Sequence, residues 1–187
     1  MVVAEGRLIR QGEPKPPVMT AHLGTTTRTE RGEPVDLEQI FRAHQKEIYV
    51  YFLRTTGNRH RAEDLGQETF ARACSAAVLF RGDSSVRTWL FSIARRVMVD
   101  DIRRRGPAST PLETELPGPA GDPSDRLAIE RALREIPISS REAIVLCDVL
   151  ELSPSEAAEV TGLNANAFRV RLYRARKQFR EVYGDDR

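Results

Sequence analysis

The chain has 187 residues, of which 40% are hydrophobic and 30% charged, and its formal net charge is +2. This length suits one ordinary domain or two small ones, and the composition is typical of a folded helical protein rather than a membrane or disordered one. No stretch approaches the roughly 18 consecutive apolar residues that a membrane-spanning helix requires. Residues 1–34 also lack the apolar segment of a secretory signal. We therefore expect a cytoplasmic protein without membrane insertion.

The residues that usually carry enzymatic or metal chemistry are few and scattered. The three histidines lie far apart, and no glycine-rich phosphate loop follows a strand. Cys74 and Cys147 sit in apolar, helix-like patterns, which favours buried small hydrophobic side chains over a disulfide or a metal site. The sequence therefore predicts no metal, no cofactor and no enzymatic activity.

The first part of the chain separates into an arm and a helical segment. Residues 1–35 are rich in Thr, Gly, Pro and Arg without apolar periodicity, which predicts a flexible arm, and Met19 within it offers an alternative start. From Asp36 onward apolar residues recur at helical spacing until Gly57, which predicts a first helix. A second helix is expected over about 61–77.

A third helix is expected from about Ser85, and it has two unlike faces. Trp89, Leu90 and Ile93 lie on an apolar stripe, so we expect Trp89 to belong to the core. The other side of the helix is polar and bears arginines, which favours contact with nucleic acid. Its residues include Thr88, Ser92, Arg95, Arg96 and Arg103.

A different composition separates this helical segment from the next. Residues 107–125 contain five prolines and four acidic residues but no basic residue. Proline interrupts helices, and proline-rich chains act as semi-rigid spacers. We therefore predict an all-α fold of two small helical domains, 36–106 and 125–187, joined by a flexible acidic linker at 107–124.

The second domain carries a predicted helix-turn-helix over 155–174. Ser139 with Glu142, and Ser153 with Glu156, have the spacing of capping boxes that begin helices. Gly162 stands where the turn needs a residue tolerant of positive φ. The helix after it is strongly basic, and such helices lie in the major groove, where Arg and Asn can contact base edges and further cations contact phosphate. The candidate DNA-binding residues are Asn164, Asn166, Arg169, Arg171, Arg174, Arg176 and Lys177.

Several segments, in order, resemble the sigma-70 family of bacterial transcription initiation factors, in its extracytoplasmic-function (ECF) branch. Residues 62–73 resemble region 2.2, residues 80–96 and 100–105 resemble regions 2.3 and 2.4, and residues 133–180 resemble region 4. The resemblance implies that the basic helix reads duplex −35 promoter DNA while its domain docks on the β flap of core RNA polymerase. It also implies that the first domain melts the −10 element and captures an unstacked base.

The resemblance assigns further residues to these partners. Those implied to lie against the β′ clamp helices of RNA polymerase are Asp64, Leu65, Gln67, Glu68 and Phe70. Those implied to contact the melted −10 DNA are Arg81, Asp83, Ser84, Ser85, Thr88, Ser92, Arg95, Arg96 and Arg103. ECF proteins are commonly inhibited by an anti-sigma factor, so an anti-sigma partner is expected as well.

The sequence leaves alternatives for the promoter elements, the linker and the function. Arg96 stands where many relatives have Asn, and residues 166–168 replace a common Gly-Thr-Val, so the preferred −10 and −35 sequences are not defined. The acidic linker is either a mimic of RNA in the exit channel or a simple tether. The alternative function is a stand-alone helix-turn-helix regulator, which would leave residues 62–73 unexplained.

Overall fold

The computed structural model describes residues 26–28, 34–105 and 123–185 of the chain. Two three-residue strands, β1 (Thr26–Arg28) and β2 (Pro34–Asp36), pair in antiparallel register. The sequence had not predicted this pair, which lies at the end of the predicted arm. The rest of the arm, including Met19, and residues 107–122 of the predicted linker lie outside the described residues.

The three helices predicted for the first half of the chain are confirmed. They are α1 (Leu37–Thr56), α2 (Arg59–Ala76) and α3 (Val86–Arg105), with a short 3₁₀ turn at Ala77–Leu79.

Polar side chains and one glycine define the ends of α1. The Asp36 carboxylate accepts hydrogen bonds from the backbone of Glu38 and Gln39, at 3.0 and 3.1 Å. These bonds satisfy two amides that the first turn of a helix leaves without partners. Gly57 ends the helix with φ 68°, a left-handed conformation that glycine adopts without steric cost.

The second half of the chain contains four further α-helices. They are α4 (Pro123–Glu135), α5 (Ile138–Ile144), α6 (Pro154–Thr161) and α7 (Ala165–Asp185), with a π-helical turn at Val145–Val149 after α5. The capping box of Ser153 and Glu156 is confirmed, with reciprocal bonds of 2.9 and 3.2 Å. The capping box predicted for Ser139 and Glu142 is wrong. Helix α5 begins at Ile138 without a side-chain cap, and Glu142 bonds to Tyr51 instead.

The two halves pack against each other. Helix α1 contacts α5 and the π-helical turn, and α3 packs against α6. Their buried side chains form one connected core; its largest fully buried members include Tyr51, Phe52, Phe91, Leu146 and Phe168. The predicted linker therefore joins two helical units that touch, rather than two that are held apart.

Both cysteines of the described residues are free thiols. Cys74 and Cys147 are partly buried and form no disulfide. Burial raises the pKa of both thiols, that of Cys147 to about 11. Within the described ranges, no helix combines the length and apolarity needed to span a membrane, and no group of three or more His, Cys, Asp or Glu side chains could hold a metal ion.

Candidate nucleic-acid interface

The helix-turn-helix is built by α6, the turn at Gly162 and α7. Gly162 adopts φ 66°, and the amide of Leu163 donates to the carbonyl of Ala158 at 3.0 Å, which closes the end of α6. Phe168 and Leu172 are buried and fix α7 against the rest of the second half. The opposite face of α7 is left in solvent.

Most of the predicted −35 residues lie on that exposed face. Arg171 is half-buried, whereas the others are exposed: Asn164, Asn166, Arg169, Arg174, Arg176 and Lys177. The side-chain oxygen of Asn164 accepts a hydrogen bond from the Ala167 amide at 2.8 Å, so Asn164 also caps the helix. The side-chain oxygen of Asn166 accepts from Arg169 at 3.2 Å.

The positive charges of α7 are not equally available. Arg176 donates from Nε to Asp148 of the π-helical turn at 3.0 Å, and Lys177 lies 3.7 Å from Glu181. Arg174 forms no ion pair within the described residues. The sequence suggested a run of uncompensated cations, but folding brings Asp148 to one of them. This neutralises part of the charge that would otherwise attract DNA.

Two exposed apolar residues of α7 were missed from the sequence. Val170 is 49% exposed and Tyr173 is 66% exposed. With Asn166 and Lys177 they form one stripe along the helix, in which successive residues are four, three and four positions apart. The stripe runs along the middle of the exposed face. Apolar side chains in a major groove can contact the methyl group of thymine. The helical periodicity of 164–177 would have identified both positions.

The predicted −10 surface is only partly exposed. Ser84 and Ser92 are half-buried, whereas the exposed members are Arg81, Asp83, Ser85, Arg96 and Arg103. Thr88 is 2% exposed, so its predicted contact with DNA stays a prediction that its present packing does not favour. Its hydroxyl lies 2.9 Å from that of Ser85, which also accepts from the Thr88 amide and so caps α3.

Arg95 and Trp89 of α3 are held by other residues. The Arg95 side chain is 28% exposed, and its Nε lies 3.4 Å from a carboxylate oxygen of Glu142 in the second half. Trp89 is partly buried and packs against Phe80, with ring centroids 5.0 Å apart. Trp89 therefore supports the loop before α3, in keeping with its predicted place on the apolar stripe.

The residues assigned to the polymerase interface divide into two groups. Asp64, Gln67 and Glu68 are exposed on one face of α2. Leu65 and Phe70 are 4% and 5% exposed, and Phe70 packs edge-on against Phe41 with centroids 4.8 Å apart. The predicted contacts of these two residues with polymerase stay a prediction, and in this structure their side chains belong to the core. The same face of α2 continues through three exposed residues outside the predicted interface, namely His60, Ala71 and Ser75.

An ion-pair network joins α2 to the basic end of α3. Arg72 donates to Glu68 and to Asp100, at 2.7 Å in each case. The hydrogen bond from Arg72 lowers the pKa of the exposed Asp100 carboxyl. The network fixes the end of α3, from which Arg103 and Arg104 extend into solvent.

Comparison with known proteins matches both halves of the chain to one family. Residues 40–107 match Sigma-70 region 2, and residues 126–179 match Sigma-70, region 4. The chain is 30% identical to the ECF RNA polymerase sigma factor SigE of Mycolicibacterium smegmatis, over 88% of this chain and 76% of the relative. It is 30% identical to the ECF sigma factor SigM of Bacillus subtilis, over 79% and 94% of the two chains. Identity to the probable RNA polymerase sigma-C factor of Mycobacterium bovis is 35%, over 78% and 82%.

Solved structures show the same helical arrangement. The sigma factor RpoE of Bartonella quintana, in complex with the anti-sigma factor NepR, aligns with a TM-score of 0.68 and 26% identity, over 81% of this chain and 99% of that one. CnrH, in complex with the cytosolic domain of CnrY, aligns with a TM-score of 0.64 and 26% identity, over 81% and 89%.

The family matches cover well over half of the chain and preserve the order of the two regions. A stand-alone helix-turn-helix regulator is not favoured, because it would account for the second match alone. The chain belongs to the ECF branch of the sigma-70 family, the RNA polymerase sigma factors that direct transcription initiation.

Proposed function

We propose that this sigma factor acts in the cytoplasm and divides promoter recognition between two surfaces. Helix α7 reads the −35 element as duplex, and the loop at 81–85 with the adjoining face of α3 captures the separated strand of the −10 element. The observation that carries this proposal is the pair of separate exposed basic surfaces, one in each matched region. The chain recognises promoter DNA, and the polymerase carries out the catalytic step.

The case for α7 rests on its charge and its position. Its exposed arginines and asparagines flank the apolar stripe of Val170 and Tyr173. A helix held by a buried Phe168 presents these side chains on a backbone that is already ordered before binding. Cations toward the end of the helix add affinity through phosphate, and polar and apolar groups near its start select bases.

The case for the −10 surface rests on the loop before α3. Gly82 adopts φ 72°, and Arg81, Asp83 and Ser85 around it are exposed. Such an exposed polar loop, which leads into the helix that carries Arg96 and is close in sequence to Trp89, suits capture of a single base. Thr88 does not belong to this surface while α3 keeps its present packing.

Two protein partners follow from the remaining surfaces. We assign the exposed face of α2, with Asp64, Gln67 and Glu68, to the β′ clamp helices of core RNA polymerase. The second half would dock on the β flap. An anti-sigma factor is a further expected partner, because a sigma factor of similar structure was solved in complex with an anti-sigma factor.

Run-off transcription with core polymerase on a genomic promoter library tests the proposal directly. We expect initiation at a defined set of promoters with this chain as the only specificity factor. Asp64→Lys should reduce initiation by weakening core binding, whereas Glu38→Lys, a charge reversal at the start of α1 and outside the assigned interfaces, should leave core binding unchanged. Absence of promoter-specific initiation, together with tight and specific binding of duplex DNA by the chain alone, would favour the regulator.

A further inference from the structure

The centre of the exposed face of α7 is apolar. Val170 lies about 160° around the helix from the buried Phe168, so its side chain points away from the core. Val170 is 49% exposed, and Tyr173, three residues further along the same face, is 66% exposed. Exposed cations flank this apolar pair, with Arg169 on one side and Arg174 on the other. A side chain at the centre of such a face is the one that a helix inserts furthest into a groove.

The two asparagines at the start of α7 are already engaged within the helix. The side-chain oxygen of Asn164 accepts from the amide of Ala167 at 2.8 Å, and that of Asn166 accepts from Arg169 at 3.2 Å. A bidentate contact of asparagine with adenine uses the same oxygen as an acceptor. Each asparagine would therefore share this oxygen or give up its contact within α7. The side chain of Val170 forms no hydrogen bonds, so it has no contact of this kind to give up.

The chemistry of the apolar pair matches one group on the edges of bases. Among the groups that base pairs present in the major groove, the C5 methyl of thymine is the apolar one. Burial against this methyl removes apolar surface of both partners from water, which is favourable. The three residues from Val170 to Tyr173 span about 4.5 Å along the helix axis, close to the roughly 3.4 Å between successive base pairs. The apolar pair can therefore lie over two neighbouring base pairs.

The charge around the apolar pair favours duplex DNA over a protein as its partner. The cores of protein interfaces are depleted of charged residues, whereas Arg169 and Arg174 directly flank these two side chains. Two apolar side chains also supply little of the area that a stable protein interface buries. The same cations are complementary to the phosphate backbones that border a major groove.

We propose that Val170, with Tyr173 beside it, selects −35 elements by the C5 methyl group of thymine. The inference rests on the proposed function, because it requires α7 to lie in the major groove of the −35 duplex. The flanking cations position the helix on the two strands, and the apolar pair determines which base pairs are accepted.

The test uses the reconstituted holoenzyme and a promoter that the run-off library identifies. Each thymine on either strand of the −35 element is replaced in turn by deoxyuridine, which keeps base pairing and removes only the methyl group. For the parent chain we expect about a fourfold loss of binding at one base pair or at two adjacent ones, the factor that corresponds to burial of one methylene-sized group. Val170→Ala should bind the thymine and uracil promoters equally at the base pair that Val170 contacts.

Two control variants separate this role from a general effect of the substitution. Val170→Ile keeps a branched apolar side chain and should keep the preference for thymine. Val78→Ala makes the same change at a valine that is 50% exposed in the 3₁₀ turn of the first half, and it should also keep the preference. Val170→Ala should fold like the parent chain by circular dichroism, because alanine has a higher helix propensity than valine. The comparison of thymine with uracil on the parent chain needs no variant.

Equal binding of the thymine and uracil promoters by the parent holoenzyme would overturn the proposal, as would a preference for thymine that survives in Val170→Ala at every base pair. Loss of core-polymerase binding in Val170→Ala, with an equal decline on both promoters, would show instead that Val170 faces a protein. Failure of the proposed function would look different: scrambling the whole −35 element would leave promoter binding and initiation by the parent holoenzyme unchanged.

Discussion

Replacing Arg174 by Ala removes an exposed guanidinium that forms no ion pair within the described residues. Arg174 lies beyond the first turns of α7, where a helix in the major groove meets the phosphate backbone. We therefore expect Arg174→Ala to weaken promoter binding by a similar factor for every −35 sequence.

The magnitude follows from the release of counterions. One lost phosphate contact lowers the slope of log K against log salt concentration by about 0.9. Between 50 and 200 mM salt, the binding constant of the variant should therefore fall about 3.5-fold less than that of the parent chain. Arg176 is the matched control, because Asp148 already binds its guanidinium. Arg176→Ala should change the slope by less than half as much and should lower the free energy of unfolding by at most about 1 kcal/mol.

The assay is binding of the reconstituted holoenzyme to a promoter from the run-off library, measured at several salt concentrations. Equal changes of slope for the two variants would refute the reasoning that Asp148 neutralises Arg176. A loss of affinity confined to one base pair of the −35 element would instead show that Arg174 reads a base.

Three further changes test other parts of the structure. Arg96→Ala should alter the preferred −10 sequence in the promoter library and leave the −35 preference unchanged. Asp101→Asn should lower the free energy of unfolding by about 3 kcal/mol in denaturant titrations, because the carboxylate is 2% exposed and pairs with Arg61 of α2. Ser153→Ala should cost about 1 kcal/mol in thermal unfolding. The Ser153 hydrogen bonds lower the pKa of Glu156 below 4.5. Their stabilisation is therefore present above pH 4.5 and declines as the pH falls through the lower pKa of the folded state. Between pH 7 and pH 3 the melting temperature of the variant should fall by less than that of the parent chain.

Local signals in the sequence were sufficient to predict most of the helices. Asp36, Gly57, Ser153 and Gly162 act within a few residues of their own position, so their roles can be read without knowing the fold. The resemblance to the sigma-70 family supplied the order of the two regions, which the comparisons confirm.

Features that depend on packing between the halves could not be predicted in this way. Glu142 has the spacing of a capping residue, but its partner Tyr51 lies 91 positions away in the chain. Thr88 falls on the polar side of α3 by helical periodicity, yet its side chain is buried. The periodicity of one helix shows which residues share a face, and it does not show which other element covers that face.

The raised pKa values of the two partly buried thiols have a practical consequence for labelling this protein. Thiol reagents attack the thiolate, and the pKa of Cys147 is raised to about 11. An exposed, introduced cysteine with a pKa of about 8.5 would hold roughly 300 times more thiolate at neutral pH. The Cys74 thiol is shifted in the same direction as Cys147. Short reactions at neutral pH should therefore modify introduced cysteines in preference to Cys147, which need not be replaced.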